Sequence, residues 1–125
     1  AAHPSKVWWR VLSEKLNEVK PVFRMWLVYR GKNVLGKGGA DLLKAIEETG
    51  SLSAAAKSLG MSYRYAWSYI AKIEERMGEP VVFSTRGGRG GGGGMRLTEL
   101  GRGLLRLYRR FENLLEKAME QEARR

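Results

Sequence analysis

Between Leu97 and Ala118 the apolar positions fall at Leu97, Leu100, Leu104, Leu107, Phe111, Leu114 and Ala118, in alternating steps of three and four. That is the spacing of one face of an α-helix. A second line through Leu105, Tyr108, Leu115 and Met119 widens the face beyond what one small domain needs. The surplus predicts a helix shared between the domain core and a second copy of the chain, with Leu104, Leu105, Tyr108, Phe111, Leu115 and Met119 as the dimer interface. Thr98 stands where an N-cap belongs, and Glu99 complements the positive end of the helix dipole. At the other end of the chain, Pro4 to Val19 predicts a packing helix with the stripe Trp8, Leu12, Leu16 and Val19, ended by Pro21. Val22 to Tyr29 is β-prone, and turn chemistry at Arg30-Gly31-Lys32-Asn33 before Val34-Leu35 predicts a short hairpin whose two apolar faces leave its register open. After the break at Gly36 to Gly39, a helix is expected over Ala40 to Thr49, with Leu42, Leu43 and Ile46 inward and Gly50 as its stop.

The segment from Gly50 to Ile70 reads as two short helices around a turn centred on Gly60. Ser53 is expected to cap the first helix, whose small residues Ala55 and Ala56 let the second cross closely; Ser62 is expected to cap the second. On that second helix Ala66, Ile70, Ile73 and Met77 share one side. Arg64, Ser68, Ala71 and Glu75 point the other way, flanked by Tyr63, Tyr65, Trp67 and Lys72. Arginine, serine and aromatic groups at the start of such a helix can reach base edges and phosphates. The adjacent acids Glu74 and Glu75 read as a solvated face. Beyond Gly78 and Pro80, the strand Val81 to Thr85 is mirrored by Met95 to Leu97 across Arg86-Gly87-Gly88-Arg89 and a run of glycines. This predicts a β-hairpin wing whose Arg86, Arg89 and Arg96 can follow a phosphate backbone or enter a minor groove. The tract lacks the Gly-Lys-Ser/Thr ending of a nucleotide-binding loop.

Composition narrows the partner. The 125 residues hold 23 Lys and Arg against 13 Asp and Glu, a formal charge of +10, which favours a polyanion. Apolar residues make up 43%, enough for one compact core and without room for a second large ligand-binding domain. No run approaches the ~20 apolar residues that cross a bilayer, so a soluble, cytoplasmic, nucleoid-associated protein is expected. With no cysteine and one histidine, His3, no disulfide, metal site or cofactor is expected. No nucleophile and base stand at recognisable spacing, so no enzymatic activity is expected either.

Gly50-Ser51, Ala54-Ala55-Ala56, Met61-Ser62-Tyr63-Arg64-Tyr65-Ala66-Trp67, the glycine-rich wing and Leu97-Thr98-Glu99-Leu100-Gly101 together resemble the amino-terminal DNA-binding domain of the molybdate-responsive ModE family. More distantly, the chain is similar to the winged helix-turn-helix of LysR-type regulators. The resemblance covers about residues 36–120. It implies a dimer built through terminal helices, with Tyr63, Arg64, Trp67 and Ser68 in the major groove of double-stranded DNA and the wing beside it. Because the chain ends at Arg125, after the linking helix, the resemblance carries over no molybdate-binding module.

The expected fold is mainly α with small β-hairpins, a winged helix-turn-helix with a long carboxy-terminal dimerisation helix. Residues 1–35 form an amino-terminal helix and hairpin, 36–98 the winged helix-turn-helix and 99–125 the dimerisation helix, all one compact unit. The candidate DNA-binding residues are Ser53, Ser62, Tyr63, Arg64, Trp67, Ser68, Lys72, Arg86, Arg89 and Arg96. Together they suggest a sequence-specific transcription regulator. Two other readings stay open: an architectural DNA binder with little base readout, and a protein-binding module using Tyr63, Tyr65, Trp67 and Tyr69.

Overall fold

A computed structural model describes residues 6–86 and 93–124. The chain runs α1 (Lys6–Glu18), β1 (Leu27–Tyr29), β2 (Lys32–Leu35), α2 (Lys37–Thr49), α3 (Leu52–Ser58), α4 (Tyr63–Met77), β3 (Val82–Thr85), β4 (Gly94–Leu97) and α5 (Glu99–Ala123). The strands pair as two separate antiparallel hairpins, β1–β2 and β3–β4. This is a winged helix-turn-helix followed by a long carboxy-terminal helix.

The core forms around α2, which touches β2, α3, α4, β4 and α5. Its Leu42, Leu43 and Ile46 are fully buried together with Leu35, Ala55, Ala66, Ile70 and Val81. Gly50 ends α2 in the left-handed region at φ 72°, where a side chain would be strained. The helix begins three residues earlier than the sequence pattern predicts, because Gly38 and Gly39 sit in its first turn instead of breaking it. Close packing favours glycine at position 39, where a Cβ would lie 2.8 Å from the Leu35 side chain and 2.9 Å from the Tyr69 ring.

The leading hairpin is shorter than expected. Its loop is the pair Arg30 (φ 49°) and Gly31 (φ 81°), both left-handed, which matches the type I′ turn favoured by the twist of two-residue hairpins. Lys32 and Asn33 therefore belong to β2. Tyr29 faces Lys32, Val28 faces Asn33 and Leu27 faces Leu35 across a bulge, which settles the register.

Two expectations about the helical ends change. The Trp8, Leu12, Leu16, Val19 stripe of α1 does not enter the core; these four side chains are 40–70% exposed, because α2 to α5 and the strands already fill the interior. In α5, Leu104, Leu105 and Tyr108 lie in the chain's own core, each at most 8% exposed, and so present little free surface to a second copy. Past Tyr108 the helix runs beyond the core. Phe111, Leu114 and Leu115 are 40–52% exposed there, and Met119 is half-buried. No helix among the described residues is long and apolar enough to cross a membrane.

Candidate nucleic-acid interface

The α3–α4 pair is held by local hydrogen bonds that its small polar residues supply. Ser51, not Ser53, is the N-cap of α3: its Oγ accepts from Ala54 N at 3.0 Å. Ser53 lies inside the first turn. The reason is the stop of α2 at Gly50, directly after which extended Ser51 already satisfies an amide that the helix leaves free. At the turn, Gly60 adopts φ 68° and Met61 N donates to Ala56 O at 2.9 Å. Ser62 then caps α4 by accepting from Tyr65 N at 3.0 Å. Ala55 and Ala56 are buried in the crossing, as their size predicts.

The amphipathic α4 separates cleanly into faces. Ala66, Ile70 and Ile73 are buried, and Met77 is half-buried. Arg64, Ser68, Ala71 and Glu75 are exposed on the opposite side, with Tyr63, Tyr65, Trp67 and Lys72 also in solvent. Ser68 Oγ donates to Tyr65 O at 2.7 Å, which leaves the hydroxyl oxygen able to accept. Tyr63 and Trp67 meet edge to face with ring centroids 6.4 Å apart. Tyr69 differs from its aromatic neighbours. It packs over Gly38 and Gly39 and is no part of an exposed aromatic face.

The wing is anchored from three directions. Met95 N donates to Gly50 O at 2.8 Å, which joins β4 to the α2–α3 junction. Thr98 caps α5 through Gly101 N at 3.1 Å, and its hydroxyl donates to Pro80 O at 2.8 Å. Glu74, expected to be solvated, instead accepts from Val81 N at 2.7 Å and from Val82 N at 3.4 Å, fastening the start of β3 to α4. In the hairpin Val82 faces Leu97, Phe83 faces Arg96, Ser84 faces Met95 and Thr85 faces Gly94. Met95 and Leu97 point into the core, while Phe83 and Arg96 are exposed. Arg86 is exposed at the end of β3, and Arg89 lies outside the described residues.

Of the candidate residues, Ser53, Tyr63 and Trp67 come together with the base of the wing around a cleft of about 310 Å³, completed by Ser84, Gly93 and Met95. Arg64 and Ser68 stand on the adjoining open face. Ser62 is engaged as a cap. Lys72 lies on the other flank of α4, in a cleft of about 360 Å³ shared with Trp26, Asn33, Tyr65 and Arg76. Arg76 donates from its guanidinium to Asn33 O there. Sequence reasoning missed Ser51, Glu74 and Arg76. The polar group before Leu52 was a readable signal for Ser51, whereas the other two act on residues brought near only by folding.

The pattern of the bacterial regulatory helix-turn-helix protein, lysR family, matches residues 40–102. The molybdenum transport protein ModE of Azotobacter vinelandii is 39% identical over 84 residues, covering 67% of this chain and 31% of that protein. The DNA-binding transcriptional dual regulator ModE of Escherichia coli K12 is 38% identical over 80 residues, covering 64% of this chain and 30% of that protein. The chain thus spans less than a third of the length of these relatives. A crystal structure of ArgP from Mycobacterium tuberculosis matches 66% of this chain and 29% of its own, with TM-score 0.51 and 28% identity.

Proposed function

Because the chain belongs to the lysR family of bacterial regulatory helix-turn-helix proteins through residues 40–102, we propose that it is a sequence-specific, double-stranded-DNA-binding transcription regulator with no enzymatic step. The observation that carries this reading is the division of α4. Its inner face is committed to the core through Ala66, Ile70 and Ile73, while Arg64 and Ser68 are exposed on its outer side. A helix so mounted enters a major groove with its first turns against the base edges. Arg64 is the leading base reader, since a guanidinium donates two parallel hydrogen bonds to guanine O6 and N7. Tyr63, Trp67 and Lys72 flank it, and Arg86, Arg89 and Arg96 of the wing meet the adjacent backbone or minor groove.

The regulator acts as a homodimer. Phe111, Leu114 and Leu115 on the projecting half of α5 are an apolar surface that the chain itself leaves uncovered, and they support pairing through this helix. Two copies would present their recognition helices to successive major-groove faces ~34 Å apart. The description of the E. coli relative as a DNA-binding transcriptional regulator supports the same assignment.

Selection of bound duplexes from a random pool tests it. A regulator returns a two-fold symmetric motif and prefers it over random DNA by ~10³-fold or more. Arg64→Ala should cost ~1–3 kcal/mol on that motif and relax preference at one base pair. A ratio near one would replace this reading with that of an architectural DNA binder, and binding to neither would remove DNA altogether.

A further inference from the structure

Between Glu18 and Asp41 the chain carries Lys20, Arg24, Arg30, Lys32 and Lys37 and no acidic residue. The core of this stretch is the β1–β2 hairpin, whose position relative to α4 gives the charge a direction. Successive helix residues turn by about 100°. The α4 residues that meet the wing or its entry are Tyr63, Trp67 and Glu74. Those that line the cleft with the leading hairpin are Tyr65, Ser68, Tyr69, Lys72, Ile73 and Arg76. Around the helix axis the second group spans roughly 100–240° from Trp67, with Lys72, Tyr65 and Arg76 at roughly 140–180°; Arg64 and Ala71 lie between the two groups, and Ser68 stands at the near rim of the second. The open face of α4 is therefore bracketed by a hairpin on each side.

We infer that the β1–β2 hairpin is a second backbone clamp, in which Arg30 and Lys32, continued by Lys72 on α4, contact phosphates on the side of the groove opposite the wing. The inference rests on the DNA-binding reading above and adds a partner surface to it. Three features fit the role. Both tip cations are exposed. The Arg30 guanidinium lies 5.0 Å from the centroid of the Tyr29 ring, so its position is restrained before any phosphate arrives. The hairpin is also fixed to α4 by the Arg76 bond to Asn33 O and by packing of β2 against the helix, so it moves with the reading head. Phosphate contacts of this kind set register on the duplex and carry no base preference.

The test is a double variant of the full chain, Arg30→Asn with Lys32→Gln. Asn-Gly is a preferred type I′ pair, so the turn is retained while both charges go; circular dichroism melting checks the fold. On the duplex selected by the unmodified chain, the slope of log affinity against log salt should fall by about 2, roughly one for each lost phosphate contact. Affinity for selected and random duplexes should drop by the same factor. Hydroxyl-radical footprinting should lose backbone protection on one flank of the recognised groove and keep it on the wing flank. An unchanged slope and footprint in a variant that folds would overturn the clamp while leaving the regulator reading intact. Loss confined to the selected duplex would overturn it too, by making the hairpin a base reader. Failure of the unmodified chain to bind any duplex would remove both readings together.

Discussion

Two glycines on α5, separated by one residue, are expected to respond to the same substitution with opposite sign. A Cβ at Gly101 would lie 2.2 Å from the backbone oxygen of Val81 and 3.2 Å from its carbonyl carbon. Val81 is fully buried, its oxygen accepts from Thr98 N at 3.0 Å, and its N–H is held by Glu74. The obstacle is therefore backbone fastened at both ends. Relief requires a shift of about 1 Å between α5 and the entry to the wing, with overpacking that costs typically ~1–3 kcal/mol. The Thr98 bond is weakened as well, at ~0.5–1.5 kcal/mol. Against this stands the better helix propensity of alanine, up to ~1 kcal/mol. Gly101→Ala should thus destabilise by roughly 1–3 kcal/mol, lowering Tm by about 4–12 °C for a domain of this size. At Gly103 nothing lies within 4 Å of the added carbon, so Gly103→Ala should gain ~0.5–1 kcal/mol and raise Tm by a few degrees. Thermal and urea unfolding followed by circular dichroism, at matched protein concentration because association shifts Tm, reads both. Equal or greater stability of Gly101→Ala would refute the close approach of α5 to Val81.

The capping assignment separates two neighbouring serines: Ser51→Ala should cost ~1 kcal/mol in urea unfolding, whereas Ser53→Ala should stay within ~0.5 kcal/mol; the reverse order would restore Ser53 as the cap. Leu115→Glu places a charge on the exposed apolar half of α5 and should convert the sedimenting species from dimer to monomer without loss of helicity; a variant that stays dimeric would move the interface elsewhere. Burial first, then the nearby Glu112 carboxylate, holds the Tyr108 phenol above its ordinary pKa. The folded state therefore keeps this proton when the unfolded chain has released it, so the contribution is complete below about pH 10 and is lost as pH rises through the folded value. Tyr108→Phe should accordingly show a shallower fall in urea midpoint above pH 10, and an unchanged fall would mean the hydroxyl is solvated.

Local chemistry carried most of the motif. Glycines at positions 50, 60 and 78, each followed within a few residues by a new element, mark the ends of α2, α3 and α4 because only left-handed backbone closes those turns, and all three adopt positive φ. The spacing of Ala66, Ile70 and Ile73 placed the outward residues of α4, since a helix side is a matter of sequence interval alone.

Backbone preference and short periodic intervals thus account for the helix stops, the turn of the motif and the side that α4 turns outward. Contacts that only the packed fold brings about decided the rest. Gly38 and Gly39 look like a break until Tyr69 and Leu35 close on Gly39, where a Cβ would collide with both and glycine lets α2 start at Lys37. Glu74 looks solvated beside Glu75 until the start of β3 brings two amide donors to it. The apolar lines of α5 are equivalent by period, yet Leu104, Leu105 and Tyr108 are consumed by the core and Phe111, Leu114 and Leu115 are left outside, because the core ends partway along the helix. Periodicity reports which side of a helix is apolar; only the packed neighbours decide how far along that side is covered.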